Sequence, residues 1–116
     1  MVSGYVPSAG DLIWLEFNPQ AGHEQAGDRP ALVLSPKEYN RKTGLALCCP
    51  VTTQKKGYPF EVEITGKAVR GSVLADQVKC LDWKSRKARF AEKAPALPLA
   101  ETRGKLAALI QTPEGG

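Results

Sequence analysis

Three residues from two stretches of the chain carry side chains that together could act on a phosphodiester: Glu24, Arg29 and Thr52. Arg29 presents a planar fork of donors that suits phosphate oxygens. Thr52, at the end of a strand-like run, offers a hydroxyl that can donate to a non-bridging oxygen. Glu24 supplies a carboxylate able to accept or orient a proton. Such a trio suits a reaction in which the substrate brings its own nucleophile, as RNA does through its 2′-hydroxyl. Lys55, Lys56 and a basic stretch from Lys84 to Lys93 surround it; that stretch holds five Lys or Arg against one acid, Glu92. The bland reading of the basic stretch is a solvated face, and of Arg29 a surface pairing with Asp28 or Glu24.

Other chemistries are poorly served. The single histidine, His23, excludes a two-histidine acid–base mechanism within one protomer, and it sits in a predicted loop with no orienting partner. Cys48, Cys49 and Cys80 make neither a disulfide framework nor a zinc-ligand spacing, and they read as reduced structural thiols. No Walker A motif and no G-x-G-x-x-G occurs.

The trio needs a frame. At 116 residues the chain is read as one domain over 1–116, long enough for a real core. A net charge of +4 and an isoelectric point near 9.1 permit a polyanionic partner without demanding one. No apolar run approaches membrane-spanning length and the N-terminus has no signal-peptide core, so the expected location is the cytoplasm. Nine prolines and eleven glycines, scattered, favour short strands and tight turns.

Residues 11–17 alternate with period two, Ile13, Leu15 and Phe17 on one face and Leu12, Trp14 and Glu16 on the other. The second face is so apolar that Leu12 and Trp14 must meet another sheet or a partner chain. A two-glycine loop from Gly22 to Gly27 then delivers Glu24 and Arg29 to the mouth of a central strand, 31–34. Pro30 biases Arg29 towards an extended backbone. Ser35-Pro36-Lys37-Glu38 reads as a capping box opening a short helix that Thr43-Gly44 ends. A strand over 45–53 follows, with Pro50 marking an edge or a bulge. Phe60, Val62 and Ile64 alternate with Glu61 and Glu63, and 72–83 is two short strands or one bent one. Residues 85–94 are polar and basic. Leu99, Thr102, Leu106, Leu109 and Ile110 recur at helical spacing after Pro98. The expected fold is mainly β, a small, strongly bent antiparallel sheet or barrel with a short inserted helix and a C-terminal helix.

The order and spacing of several motifs give the chain a sharper likeness. Gly10-Asp11-Leu12-Ile13-Trp14, Glu24-Gln25-Ala26-Gly27 with Arg29-Pro30-Ala31, and Leu34-Ser35-Pro36 with Tyr39-Asn40 lead into Pro50-Val51-Thr52-Thr53-Gln54. Lys56-Gly57-Tyr58-Pro59-Phe60-Glu61-Val62 and Leu74-Ala75-Asp76-Gln77-Val78-Lys79 continue the series. Over nearly its whole length the chain resembles the MazF/PemK toxin endoribonucleases. The resemblance implies an SH3-like barrel, a homodimer, and metal-independent cleavage of single-stranded RNA to 2′,3′-cyclic phosphate and 5′-hydroxyl ends. No cofactor is implied; the implied partner is a MazE-type antitoxin covering the RNA groove. Arg29 and Thr52 match the family's catalytic arginine and threonine, and Glu24 an acidic residue required in close relatives. Lys56, Gln77, Lys79 and Arg86 match positions on or near the RNA-binding face. Asp28 departs from relatives that carry a histidine there, and it is placed to pair with Arg29. Two rivals remain: a CcdB-like gyrase poison, disfavoured because 111–116 lacks an aromatic residue, and an SH3-like binding module without catalysis.

Overall fold

A computed structural model of the chain describes residues 4–17 and 27–115. Within them the elements run β1 (Asp11–Phe17), β2 (Gly27–Val33), α1 (Lys37–Thr43), β3 (Leu45–Thr52), β4 (Glu61–Thr65) and β5 (Arg70–Leu74). A 3₁₀ turn (Ala75–Gln77), β6 (Lys79–Asp82), β7 (Arg89–Lys93) and α2 (Ala96–Gln111) complete the chain. The strands form one antiparallel sheet in the order β4-β5-β3-β2-β1-β7, with β6 also on β3. Among the described residues no helix is long and apolar enough to cross a membrane.

Strand β3 is central and changes partner along one side. Leu45–Cys48 pair with β6, and Val51–Thr52 pair with β5. Pro50, which has no N–H to give, falls in the gap between those two ladders while facing Ala31 on the other side. The proline therefore marks a change of partner inside a central strand, not a sheet edge.

The sheet curls and buries both of its faces. Leu12 joins Leu32, Cys49, Val62, Ile64 and Val73 in one apolar cluster, with Trp14, Leu99 and Leu106 packed against it. Ile13 and Leu15 join Ala31, Val33, Cys48 and Trp83 in the other. Leu12 and Trp14 thus meet the far half of their own curled sheet, which explains why β1 is apolar on both sides. The two ends of the sheet are tied by a carboxylate. Glu92 on β7 accepts the backbone N–H groups of Lys67, Ala68 and Val69 in the β4–β5 turn, at 3.0, 2.7 and 2.8 Å. A Cβ on Gly66 would stand 2.2 Å from that carboxylate and 2.9 Å from the Val69 carbonyl, so only glycine lets the turn approach.

Several boundaries differ from the sequence reading. β2 starts at Gly27 because 27–30 pair with β1 while staying exposed or half-buried, so no apolar pattern marks them. β7 had read only as a polar basic stretch; among the described residues it is an end strand paired with β1, and its exposed side chains hide the alternation. α2 begins two residues before Pro98, which sits in the first turn, where helix N–H groups lack partners in any case. Leu109 and Ile110 lie on its exposed side. The capping box does not form, since Pro36 is the cap residue and has no side-chain bond to give. Ser35 instead donates to Asn40 Oδ1 at 2.5 Å and accepts the Leu47 N–H at 2.9 Å. Asn40, fully buried, donates onward to the carbonyls of Pro7 and Ser35, and its own carbonyl accepts the Trp83 indole. This polar knot pins α1 between the N-terminal segment and the turn after β6. Gly44, at φ 75°, ends α1 as the sequence suggested.

Candidate active site

Two of the sequence trio, Arg29 and Thr52, line one cleft. Ala31 on β2 faces Pro50 on β3. The β2–β3 ladder ends there, and Arg29 and Thr52 lie two residues further along their strands, both lining the same cleft. On its other side Arg29 is opposite Leu15 of β1. Alternation puts Leu15, Arg29, Ala31, Cys48, Pro50 and Thr52 on one face of the sheet. A cleft of about 850 Å³ opens over that face, lined by these six and by Gln54, Leu74, Gln77, Lys79 and Leu81 among others.

Each polar group reaches the cleft for a local reason. β2 is buried from Ala31 to Val33 and exposed from Gly27 to Arg29, so the strand leaves the core at Pro30 and carries Arg29 out on its rigid end. Arg29 is therefore a strand residue, not a loop residue at the strand mouth. Thr52 is the last residue of β3, and its Oγ1 accepts the Gln54 N–H at 3.1 Å. Its hydroxyl hydrogen is left to point elsewhere. Gln77 ends the 3₁₀ turn and Lys79 opens β6 opposite Cys48, both exposed. The Cys48 thiol is pushed up to about 12, chiefly by burial, so at neutral pH it is an uncharged wall and not a nucleophile.

The remaining candidates lie apart. Glu24 falls outside the described residues. Lys56 is exposed in the loop after β3 and outside the cleft lining. The Glu61 carboxylate holds that loop by accepting the Lys56 and Gly57 N–H groups, each at 2.8 Å. Arg86 sits half-buried in the β6–β7 turn, donating to the Glu16 carbonyl at 3.3 Å while the Glu16 N–H bonds the Arg86 carbonyl at 2.8 Å. Much of the basic stretch is engaged in the same structural way. Lys93 pairs with the buried Asp11 at 2.5 Å, Lys84 lies over the Trp83 ring, and Arg89 pairs with Asp28. Asp28 thus gives its carboxylate to Arg89, where the sequence had placed it to pair with Arg29. Gln54 and Leu74 line the cleft without having been singled out; Gln54 could have been found as the residue two past a strand-end threonine, whereas Leu74 had no sequence signal. Among the described residues no cluster of three or more His, Cys, Asp or Glu could hold a metal ion.

Comparison with known proteins bears on this cleft. A family model for the PemK-like, MazF-like toxin of type II toxin–antitoxin systems matches residues 8–110. The chain is 62% identical over 86 residues to the endoribonuclease toxin MazF of Escherichia coli strain K12, a match covering 74% of this chain and 78% of that protein. It is 34% identical over 104 residues to the endoribonuclease PemK of Escherichia coli, covering 84% and 78%. Among solved structures, a chain of the MazE–MazF complex (Form-II) from Deinococcus radiodurans superposes with a TM-score of 0.88 at 58% identity, covering 94% of this chain and 99% of that one.

Proposed function

Because the chain belongs to the PemK-like, MazF-like toxin family of type II toxin–antitoxin systems, we propose that it is a sequence-specific endoribonuclease acting on single-stranded RNA. Relatives in the family carry the name endoribonuclease, and one solved structure is of a MazE–MazF complex. The observation that supports the reading for this chain is the cleft that Arg29 of β2 and Thr52 of β3 both line.

The chemistry needs no cofactor. The 2′-oxygen of the ribose attacks the adjacent phosphorus, the bond from phosphorus to the 5′-oxygen breaks, and the leaving oxygen takes up a proton. The products are a 2′,3′-cyclic phosphate and a 5′-hydroxyl. Arg29 stabilises the charge building on the phosphorane. A guanidinium with a pKa above about 12 is a poor proton donor, so electrostatic stabilisation is its role. Thr52 donates its hydroxyl to a non-bridging oxygen. Glu24 accepts or orients the 2′-hydroxyl proton. Gln77 and Lys79 hold the strand along the cleft, with Lys56 and Arg86 on its wider basic surroundings. A single domain over 1–116 carries this activity as a homodimer in the cytoplasm, and a MazE-type antitoxin silences it by covering the cleft.

Incubating the purified protein with unstructured single-stranded RNA in EDTA, then mapping cut sites and end groups, tests the reading. Cyclic-phosphate ends at a recurring short sequence are expected, with cleavage falling by about 10²–10³ in Arg29→Ala, the usual loss of one charge-stabilising donor. Intact RNA with folded wild-type protein, or equal cutting by folded Arg29→Ala, overturns it.

A further inference from the structure

Neighbouring residues of a strand face opposite sides of the sheet, so the Asp28 side chain leaves β2 on the side away from that of Arg29, although both residues border the cleft at this strand end. On that far side the Asp28 carboxylate accepts a hydrogen bond from Arg89 of β7, two strands away. The register shows how the pair spans β1. Trp14 is opposite Arg89 on one side and Pro30 on the other, and Glu16 is opposite Asp28, so the Arg89 side chain crosses β1 on a diagonal. The stretch it reaches is the exposed end of β2. Gly27, Asp28 and Arg29 are exposed, and the ladder to β1, where they pair with Phe17, Glu16 and Leu15, is what orders their backbone.

We propose that the Asp28–Arg89 pair is a clamp that positions Arg29 for RNA cleavage, Arg89 being a positioning residue that acts through β2 and never touches substrate. The inference rests on the nuclease reading of the cleft. With its front side chain aimed at the phosphate and its back side chain tethered to β7, the outer half of β2 is held from both sides. The basic character of the Lys84–Lys93 stretch is then spent in part on ordering the site, not on contacting RNA.

The test compares Asp28→Ala, Arg89→Gln and the double variant in the full-length protein. Each single variant is expected to lower kcat about three- to fivefold, the scale of an exposed ion pair, with KM little changed. The double variant falls no further than either single one. If the charges acted only on RNA, removing Asp28 would lower KM and removing Arg89 would raise it, in opposite directions and additively; that pattern overturns the clamp. Amide hydrogen exchange over residues 27–29 reads the tether without RNA. Faster exchange in both single variants is expected, and unchanged exchange rejects the clamp. Wild-type protein that is folded but cuts no RNA refutes the nuclease reading instead, and the exchange result then still decides whether the pair orders β2.

Discussion

Thr52 illustrates how one hydroxyl serves two bonds. Its oxygen accepts the Gln54 N–H, which fixes the turn after β3, and under the proposed mechanism its hydrogen donates to a phosphate in the cleft it lines. Thr52→Ser keeps both functions, whereas Thr52→Val removes both. Single-turnover cleavage should therefore fall by about 10²-fold in the valine variant and only a few-fold in the serine variant. A valine variant cutting at the wild-type rate would remove Thr52 from the site. Cys48 beside it contributes shape alone, since a thiol raised to about 12 does not ionise at the pH where RNA is cut.

At the scale of elements, the sheet depends on the tie between β7 and the β4–β5 turn. Three backbone N–H groups bonded to the Glu92 carboxylate, that of Val69 foremost, hold its pKa below the ordinary glutamate value. A group depressed on folding stabilises the native state above its unfolded pKa of about 4.3 and loses that contribution as pH falls through the lower folded value. Urea midpoints measured from neutral to about pH 3 should show an acid limb that Glu92→Gln flattens while lowering the neutral plateau. Gly66→Ala should lower thermal stability by several degrees through the same turn, because a methyl group there collides with the carboxylate and with the Val69 carbonyl. If neither variant moves the curve, the two ends of the sheet are held by something other than Glu92.

Across the whole molecule, positive charge is scattered, and only part of it borders the cleft. Arg29 and Lys79 line it, Lys56 stands on the loop two residues past Gln54, and several other cations are taken up by intramolecular partners. Binding of a non-cleavable RNA analogue should therefore involve three or four phosphates, with a slope of about −2 to −3 in log affinity against log salt. A flat profile would separate RNA from this surface altogether.

Much of this was legible in the residues alone. Alternation announced β1 and β4, and Gly44 marked the end of α1, because local chemistry decides those features wherever the chain later packs. Motif order pointed to the family, and Arg29 and Thr52 carried their chemistry in their types. Other features had no local signal. The exposed start of β2, the strand at 89–93 and the unformed capping box depend on pairing partners, since a half-exposed strand obeys its neighbour's ladder and not its own hydrophobic pattern. Asp28 and Arg89 lie 61 positions apart in the chain, and only the antiparallel register that stacks β2, β1 and β7 sets them in contact. Residue type thus determined what each side chain could do. The curl of the sheet decided which of them meet, because contact between distant residues is a property of strand pairing that no short stretch contains.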